Sequence, residues 1–241
     1  MTTSSPWLVA RVVATRPATP HGRVLHVRVA GWPGNLAGQH VDVRLTAEDG
    51  YQAVRSYSLA SSGADEILEL AVDELPDGEV SPYLVEDVLP GDELEVRGPI
   101  GAYFVWTPDR SEPVQLIAGG SGIVPLVAMA RVHALAASSA PMRMLYSVRS
   151  QDDAFYADEL TGLESDAFTV DWAYTRSAPP GFARPAGRVD AATIAAATIP
   201  PSERPSVYVC GPTGFVEAVA DLLVAAGHSP DRIRTERFGG A

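Results

Sequence analysis

The chain has 241 residues, enough for two modest domains, and a formal net charge of −12 at pH 7. This acidic balance argues against nucleic acid or an anionic membrane surface as the main partner, because both bind clustered Lys and Arg. The single cysteine, Cys210, excludes a disulfide framework and a thiolate set for zinc or an iron-sulfur cluster. We therefore expect no metal site, and any redox chemistry requires an organic cofactor.

Residues 1–6 contain no basic region followed by an apolar run, which predicts a cytoplasmic protein without a signal peptide. The stretch between Glu112 and Arg131 is uncharged and approaches the roughly 20 residues of a membrane helix. Its glycine-rich segment 119–122 and Pro125 favour a strand, a tight turn and a helix instead. We expect no membrane span.

The first part of the chain, residues 1–108, has the pattern of short β-strands. Apolar and polar residues alternate over 25–29, 41–45 and 94–96, the period of half-buried strands. Turn-forming clusters of Gly, Pro, Asp and Ser separate these runs, which is typical of a small antiparallel barrel or sandwich. Ser81 as N-cap, with Pro82 at the first helical position, predicts a short helix that ends near Val88.

Beyond a polar, proline-bracketed linker near residues 107–113, strands alternate with helices. Helical periodicity begins near Ile123 and Phe215, and an alanine-rich segment predicts a further short helix at 191–197. Four apolar runs predict strands at 114–118, 142–148, 168–174 and 206–210. The alternation predicts a parallel sheet, covered on both faces, in a second domain over 109–241 that binds ligands at the carboxyl ends of its strands.

The segment from Arg55 to Leu59 presents a cation, an aromatic ring and a hydroxyl within one predicted strand. Arg55 and Tyr57 share one face of a strand and Ser58 lies on the other. A bend or twist is therefore needed if Tyr57 is to stack on a flat ligand while Ser58 reaches its edge and Arg55 holds a phosphate. Taken alone, these residues fit an ordinary half-buried strand equally well.

The turn at Gly120, Ser121 and Gly122 follows a predicted strand and opens a helix, so its backbone N–H groups can approach a phosphate. The third glycine of the common dinucleotide fingerprint would fall at Pro125, and the Lys of a P-loop is missing. Gly-x-Ser-x-Gly also fails, because Ile123 stands two residues after Ser121, which weakens a hydrolase interpretation. We interpret the turn as a pyrophosphate site, with a glycine-rich turn without ligand as the alternative.

Arg149 and Arg176 follow the second and third strands of the predicted sheet. Arginines at this position favour the 2′-phosphate of NADPH, whereas NAD-selective sites usually present an acid to the ribose. Two solvated arginines are the alternative. Cys210 has no obvious His partner nearby, which favours a buried thiol beside a cofactor over a nucleophile.

Four segments occur in a characteristic order: Arg55-Ser56-Tyr57-Ser58, Gly98-Pro99-Ile100-Gly101, the turn from Gly119 to Pro125, and Cys210-Gly211-Pro212. With them the chain resembles the ferredoxin-NADP reductase superfamily over nearly its full length. The resemblance implies an antiparallel Greek-key β-barrel that binds FAD, followed by a parallel-sheet α/β domain that binds NADP(H). It also implies hydride transfer from the nicotinamide to the flavin.

The resemblance implies roles for individual residues of the first domain. Arg55 would meet the flavin pyrophosphate, Tyr57 the isoalloxazine ring and Ser58 its N5 atom, and Leu59 is a further candidate cofactor-binding residue. Gly78, Val80 and Ser81 would form the cradle for the phosphates of FAD.

In the second domain, the resemblance implies that Thr175 and Arg176 meet the adenosine phosphate. The turn of Cys210, Gly211 and Pro212 would border the nicotinamide.

The C-terminal segment Glu236-Arg237-Phe238 is similar to that of oxygenase-linked reductases, in which the acid approaches the flavin and an aromatic ring covers its other face. Ser58, Cys210 and Glu236 are the candidate catalytic residues, with Glu236 as a proton relay. Some relatives carry a fused [2Fe-2S] domain, but here the chain stops and one cysteine cannot hold a cluster. We expect electrons to leave to a separate ferredoxin or oxygenase component, with a quinone or free acceptor also open. The alternative is an electron-transfer or regulatory flavoprotein subunit without turnover of its own.

Overall fold

The computed structural model describes residues 6–239 and divides into two compact units, one ending at Val105 and the other beginning at Trp106. The domain limits inferred from sequence, with a boundary after residue 108, stay a proposal. The predicted absence of a signal peptide concerns residues 1–6, of which residues 1–5 lie outside the described residues.

The first unit is a six-stranded antiparallel sheet with the order β4-β3-β6-β1-β2-β5. A bridge between Leu59 and Leu70 links the end of β4 to β5, the two outermost strands of this order, and so curls the sheet into a barrel. This confirms the predicted antiparallel barrel. The strands are β1 (Leu8–Thr19), β2 (Gly22–Val29), β3 (His40–Thr46), β4 (Gln52–Ser58), β5 (Ile67–Asp73) and β6 (Glu93–Ile100).

The apolar residues that alternate along these strands form the core of the barrel. Val27, Val41 and Val96 are fully buried in it, as the period of two predicts. On the outer face, the ring of Trp7 lies beneath two guanidinium groups, with the Cζ of Arg44 4.3 Å and the Cζ of Arg97 4.8 Å from its centroid. These cation–π contacts hold Trp7 against the barrel.

The predicted helix near residues 81–88 forms as a short helical turn that is π-helical over Tyr83–Asp87. The predicted Ser81 cap is wrong. Pro82 occupies the N-cap position and no side chain caps the turn, because the Ser81 hydroxyl instead accepts the backbone N–H of Leu75 at 3.0 Å. Ser81 therefore closes the loop that precedes the turn.

The second unit is a five-stranded parallel sheet with the order β11-β10-β7-β8-β9. Its strands are β7 (Val114–Gly119), β8 (Met142–Val148), β9 (Phe168–Tyr174), β10 (Ser206–Pro212) and β11 (Ile233–Phe238). Its helices are α1 (Ile123–Leu135), α2 (Ala157–Leu163), α3 (Ala191–Ala197) and α4 (Thr213–Ala225). Short 3-10 turns occur at Gly120–Gly122, Pro201–Glu203 and Pro230–Arg232. This confirms the predicted parallel α/β sheet.

The uncharged stretch between Glu112 and Arg131 divides between strand β7, a 3-10 turn and the first part of α1. Over residues 6–239, no helix combines the length and the apolar character needed to cross a membrane.

Candidate cofactor-binding site

Strand β4 carries the Arg55–Ser58 segment at the edge of the sheet, paired with β3. The pairing is continuous from Gln52 to Ser58 and contains no bulge, so the predicted bend does not come from a break in this register. The chain leaves the strand at Leu59, which bridges to Leu70.

The two faces of β4 differ in character. Tyr57 is half-buried and packs against the barrel core, while Arg55 on the same face is exposed. Burial raises the pKa of the Tyr57 hydroxyl more than the charge of Arg55 lowers it, so the phenol stays neutral.

The opposite face of β4 is polar. Ser56 donates to Oδ1 of Asp42 at 2.7 Å, and Arg97 donates to Oδ2 of the same carboxylate at 2.6 Å. Burial raises the pKa of Asp42, but the hydrogen bonds from Arg97 and Ser56 outweigh it and the net shift is downward. Ser58 lies opposite His40 in the register, and burial lowers the pKa of that imidazole despite the charge of Asp42. Ser58 therefore lies opposite a neutral imidazole, and the ionised Asp42 lies two residues further along β3, opposite Ser56.

The loop that contains the predicted phosphate cradle is tightly closed. The N–H of Gly78 donates to the carbonyl of Leu75 at 2.7 Å, and a Cβ at Gly78 would lie 2.9 Å from both that oxygen and the Ser81 hydroxyl. Glycine is therefore required at this position. The helical turn beyond begins at Pro82, which has no N–H, and the N–H of Leu84 donates to the carbonyl of Val80 at 3.1 Å.

Arg55 meets this loop through Glu79. Its Nη2 pairs with Oε2 of Glu79, and Tyr51 donates its hydroxyl to Oε1 of the same carboxylate at 2.5 Å. The structure thus brings a predicted phosphate-binding cation on β4 next to the predicted phosphate-binding loop. Glu79 and Tyr51 could not be predicted as partners of Arg55, since nothing in their spacing in the sequence marks them as such.

In the second unit, the two predicted glycine turns pack backbone against backbone. Strands β7 and β10 are neighbours with Ala118 opposite Cys210, so both turns lie at the same edge of the sheet. A Cβ at Gly122 would lie only 2.2 Å from the carbonyl oxygen of Cys210. A Cβ at Gly211 would meet the ring of Phe215 at 2.8 Å. The close approach of these turns requires their glycines.

Helices α1 and α4 both begin at this edge, and neither has a side-chain cap at its N-terminus. Two helix N-termini at the carboxyl ends of adjacent parallel strands place partial positive charge where an anion can bind. Ser121 lies in the turn between β7 and α1.

The turns after β8 and β9 are hydrogen-bonded to each other. The N–H of Thr175 donates to Val148 O at 2.8 Å, and the N–H of Arg176 donates to Arg149 O at 2.9 Å. Arg149 and Arg176 are both exposed. The backbones of Arg149 and Arg176 therefore lie side by side beyond the carboxyl ends of β8 and β9.

Strand β11 places the C-terminal candidates beside β10, with Cys210 opposite Glu236 and Pro212 opposite Phe238. Burial, followed by the charge of Glu236, raises the pKa of the Cys210 thiol well above its ordinary value. Cys210 is 1% exposed, so the thiol is both protonated and inaccessible. This state suits a packing residue and not a nucleophile.

Comparison with known proteins gives two adjacent domain matches. The family described as oxidoreductase FAD-binding domain matches residues 32–105, and the family described as oxidoreductase NAD-binding domain matches residues 116–221. The chain is 30% identical over 205 residues to NADH-cytochrome b5 reductase 1 of Aspergillus terreus, covering 81% of this chain and 68% of that protein. The chain belongs to the ferredoxin-NADP reductase superfamily.

A second relative and a solved structure show the same similarity over most of the chain. The chain is 27% identical over 206 residues to the reductase component of propane 2-monooxygenase from Rhodococcus jostii, covering 83% of this chain and 55% of that protein. The chain thus spans little more than half of this relative. Among solved structures, the FAD/NAD-binding domain of nitric oxide dioxygenase from Vibrio cholerae superposes with a TM-score of 0.85 at 25% identity, covering 99% of this chain and all of that domain.

The residues of the first unit fit the FAD that the superfamily implies. The Gly78 position has no room for a side chain, and Arg55 reaches the same loop through Glu79. A guanidinium beside a tightly turned glycine loop is a suitable partner for a pyrophosphate.

Proposed function

We propose that this chain is a flavoprotein reductase that takes hydride from NADPH or NADH and passes electrons to a separate acceptor. The observation that carries the proposal is the contact between Arg55 and the loop of Gly78 to Ser81. This contact brings together, from two parts of the sequence, residues that would hold a dinucleotide pyrophosphate. The parallel sheet supplies a second phosphate-binding edge for the pyridine nucleotide.

Each part of the barrel site has a proposed role toward FAD. Arg55, with the backbone at Gly78 and Val80 and the residue Ser81, would hold the phosphates, and Tyr57 would lie against the isoalloxazine ring. When bound, FAD supplies the two-electron acceptor for hydride and the route to one-electron delivery. The protein contributes orientation and exclusion of water.

Two side chains, Ser58 and Glu236, would form a hydrogen bond or exchange a proton at the flavin. Ser58 would hydrogen-bond the reacting edge of the ring, and Glu236 would hold or release a proton as charge changes there. Phe238, opposite Pro212 in the register, would cover a ring face. Cys210 would act as a small buried packing group at the nicotinamide turn, and Leu59 as the residue that fixes the end of β4.

For the nucleotide we propose NADPH over NADH. The support is the pair of exposed arginines, Arg149 and Arg176, joined through their backbones at the carboxyl edge of the sheet. Thr175 would assist at the adenosine phosphate, and the turn of Gly120 to Gly122 would receive the pyrophosphate.

Replacing Arg176 with Ala is expected to raise the KM for NADPH about tenfold, because a charge-assisted contact to the 2′-phosphate is lost, and to leave the KM for NADH unchanged. Steady-state kinetics with both nucleotides measures this. Arg188→Ala, an exposed arginine of the same unit, is the matched control. An unchanged preference for NADPH would remove Arg176 from the phosphate site.

The proposed acceptor is a ferredoxin or an oxygenase component. Support comes from the relatives, among them the reductase component of propane 2-monooxygenase. A cytoplasmic location stays a prediction from the sequence.

Purified protein is expected to bind FAD and to catalyse NADPH-dependent reduction of an artificial electron acceptor. Identification of the released pigment, followed by this turnover assay, tests the proposal. FAD binding without turnover would favour the alternative of an electron-transfer or regulatory subunit. Labelling of Ser121 by a serine-directed phosphonate would instead support a hydrolase.

A further inference from the structure

Glu79 lies inside the predicted phosphate-binding loop and presents a carboxylate where a phosphate is expected. Both of its oxygens have partners: Oε2 pairs with Nη2 of Arg55, and Oε1 accepts the hydroxyl of Tyr51. The side chains of Arg55 and Glu79 are 51% and 43% exposed, so solvent and ligands reach the pair. The hydrogen bond from Tyr51, followed by the charge and hydrogen bond of Arg55, outweighs desolvation and lowers the pKa of Glu79. The carboxylate is therefore ionised at neutral pH.

The hydrogen bonds of Arg55 show how its pairing with Glu79 interferes with phosphate binding. Its Nη1 donates to the carbonyl of Val54 at 2.8 Å and its Nη2 is taken by Glu79. A guanidinium grips a phosphate best through two parallel N–H bonds. These two bonds use two of the five N–H groups, and the negative charge of Glu79 on Nη2 repels a phosphate that approaches the others.

We propose that Glu79 competes with the flavin pyrophosphate for Arg55. The carboxylate stands in for the phosphate when the loop is empty, and the pyrophosphate displaces it on binding. Glu79 is thus a residue that sets flavin affinity without touching the reacting atoms. The inference rests on the proposed binding of FAD at Arg55 and the loop of Gly78 to Ser81.

The size of the effect follows from the exposure of the pair. FAD binds the form of the chain in which Arg55 is not paired with Glu79. The apparent Kd is the intrinsic Kd divided by the fraction of the population in that form. For a solvent-exposed ion pair this factor is about two- to sixfold. Removing the Glu79 charge should therefore tighten FAD binding about two- to sixfold.

The experiment measures the Kd of the full chain, stripped of pigment, for FAD and for riboflavin by quenching of flavin fluorescence. Riboflavin has the same ring and lacks the phosphates. The variants are Glu79→Gln, Glu79→Ala and each of these combined with Arg55→Ala. Glu86→Gln removes the same charge from the neighbouring helical turn and is the matched control. Circular dichroism of each variant checks that the barrel is folded.

Glu79→Gln and Glu79→Ala are expected to tighten FAD, to leave riboflavin unchanged, and to have no effect when Arg55 is already Ala. Glu86→Gln is expected to bind both flavins as the wild type does. The inference is overturned if FAD binding is unchanged or weaker, if riboflavin tightens equally, or if the gain persists without Arg55. A wild-type chain that binds no FAD would overturn the proposed function as well, whereas normal FAD binding with no gain in the variants would overturn only the role of Glu79.

Discussion

Gly122→Ala is expected to destabilise the second unit by about 3 kcal/mol or more and to abolish binding of pyridine nucleotide. The added Cβ would lie 2.2 Å from the carbonyl oxygen of Cys210. That carbonyl belongs to β10, which is paired with β7 on one side and β11 on the other, so the strand has little freedom to move away. The turn between β7 and α1 must give way instead. Urea unfolding followed by circular dichroism, together with a nucleotide-binding titration, measures both effects.

Gly214→Ala is the matched control for this substitution. Gly214 lies in the first turn of α4 at the same edge of the sheet, and a Cβ there would meet nothing within 4 Å. Stability should stay within about 1 kcal/mol of the wild type, with a slight gain because Ala favours helix. A Gly122→Ala protein as stable as this control would contradict the close packing of the two turns.

Arg55→Ala is expected to weaken FAD binding about 10- to 100-fold, because a charge-assisted, bidentate contact to the pyrophosphate is lost. The barrel itself should remain folded, since Arg55 is exposed and contributes nothing to the core. A fluorescence titration with FAD measures the affinity, and thermal unfolding of the pigment-free protein checks the fold.

Arg28→Ala removes an exposed arginine from β2 of the same barrel and serves as the control for net charge. It should bind FAD as the wild type does. If the two variants bind FAD with equal affinity, Arg55 does not hold the pyrophosphate.

The fold could be predicted where side-chain periodicity is regular. Strands β8 and β9 and helix α3 begin and end at the predicted residues, because each is a short apolar run between polar segments. Strand β1 was missed because bulges between Val12 and Ala14 and between Pro17 and Thr19 break its alternation. Helix α2 was missed because Leu160 is its only buried residue, too little to give a helical period.

The candidate site could be predicted in part, since glycines in strand–helix turns and an Arg-x-Tyr-Ser segment have recognisable spacing. Their packing could not be predicted. The fit of Gly122 against Cys210 joins segments from opposite ends of the unit, and only strand order reveals it. The pairing of Arg55 with Glu79 depends on the path of the loop that Ser81 closes through Leu75. The Ser81 hydroxyl, predicted from the sequence to cap a helix, instead closes this loop by accepting the N–H of Leu75.

The most direct test of the account is anaerobic addition of NADPH to the purified chain loaded with FAD, followed by visible absorbance. We expect the flavin absorbance to be lost and an artificial electron acceptor to restore it, with repeated cycles on further NADPH. A chain that takes up no FAD, or whose bound FAD keeps its absorbance with both NADPH and NADH, would contradict the proposed reductase.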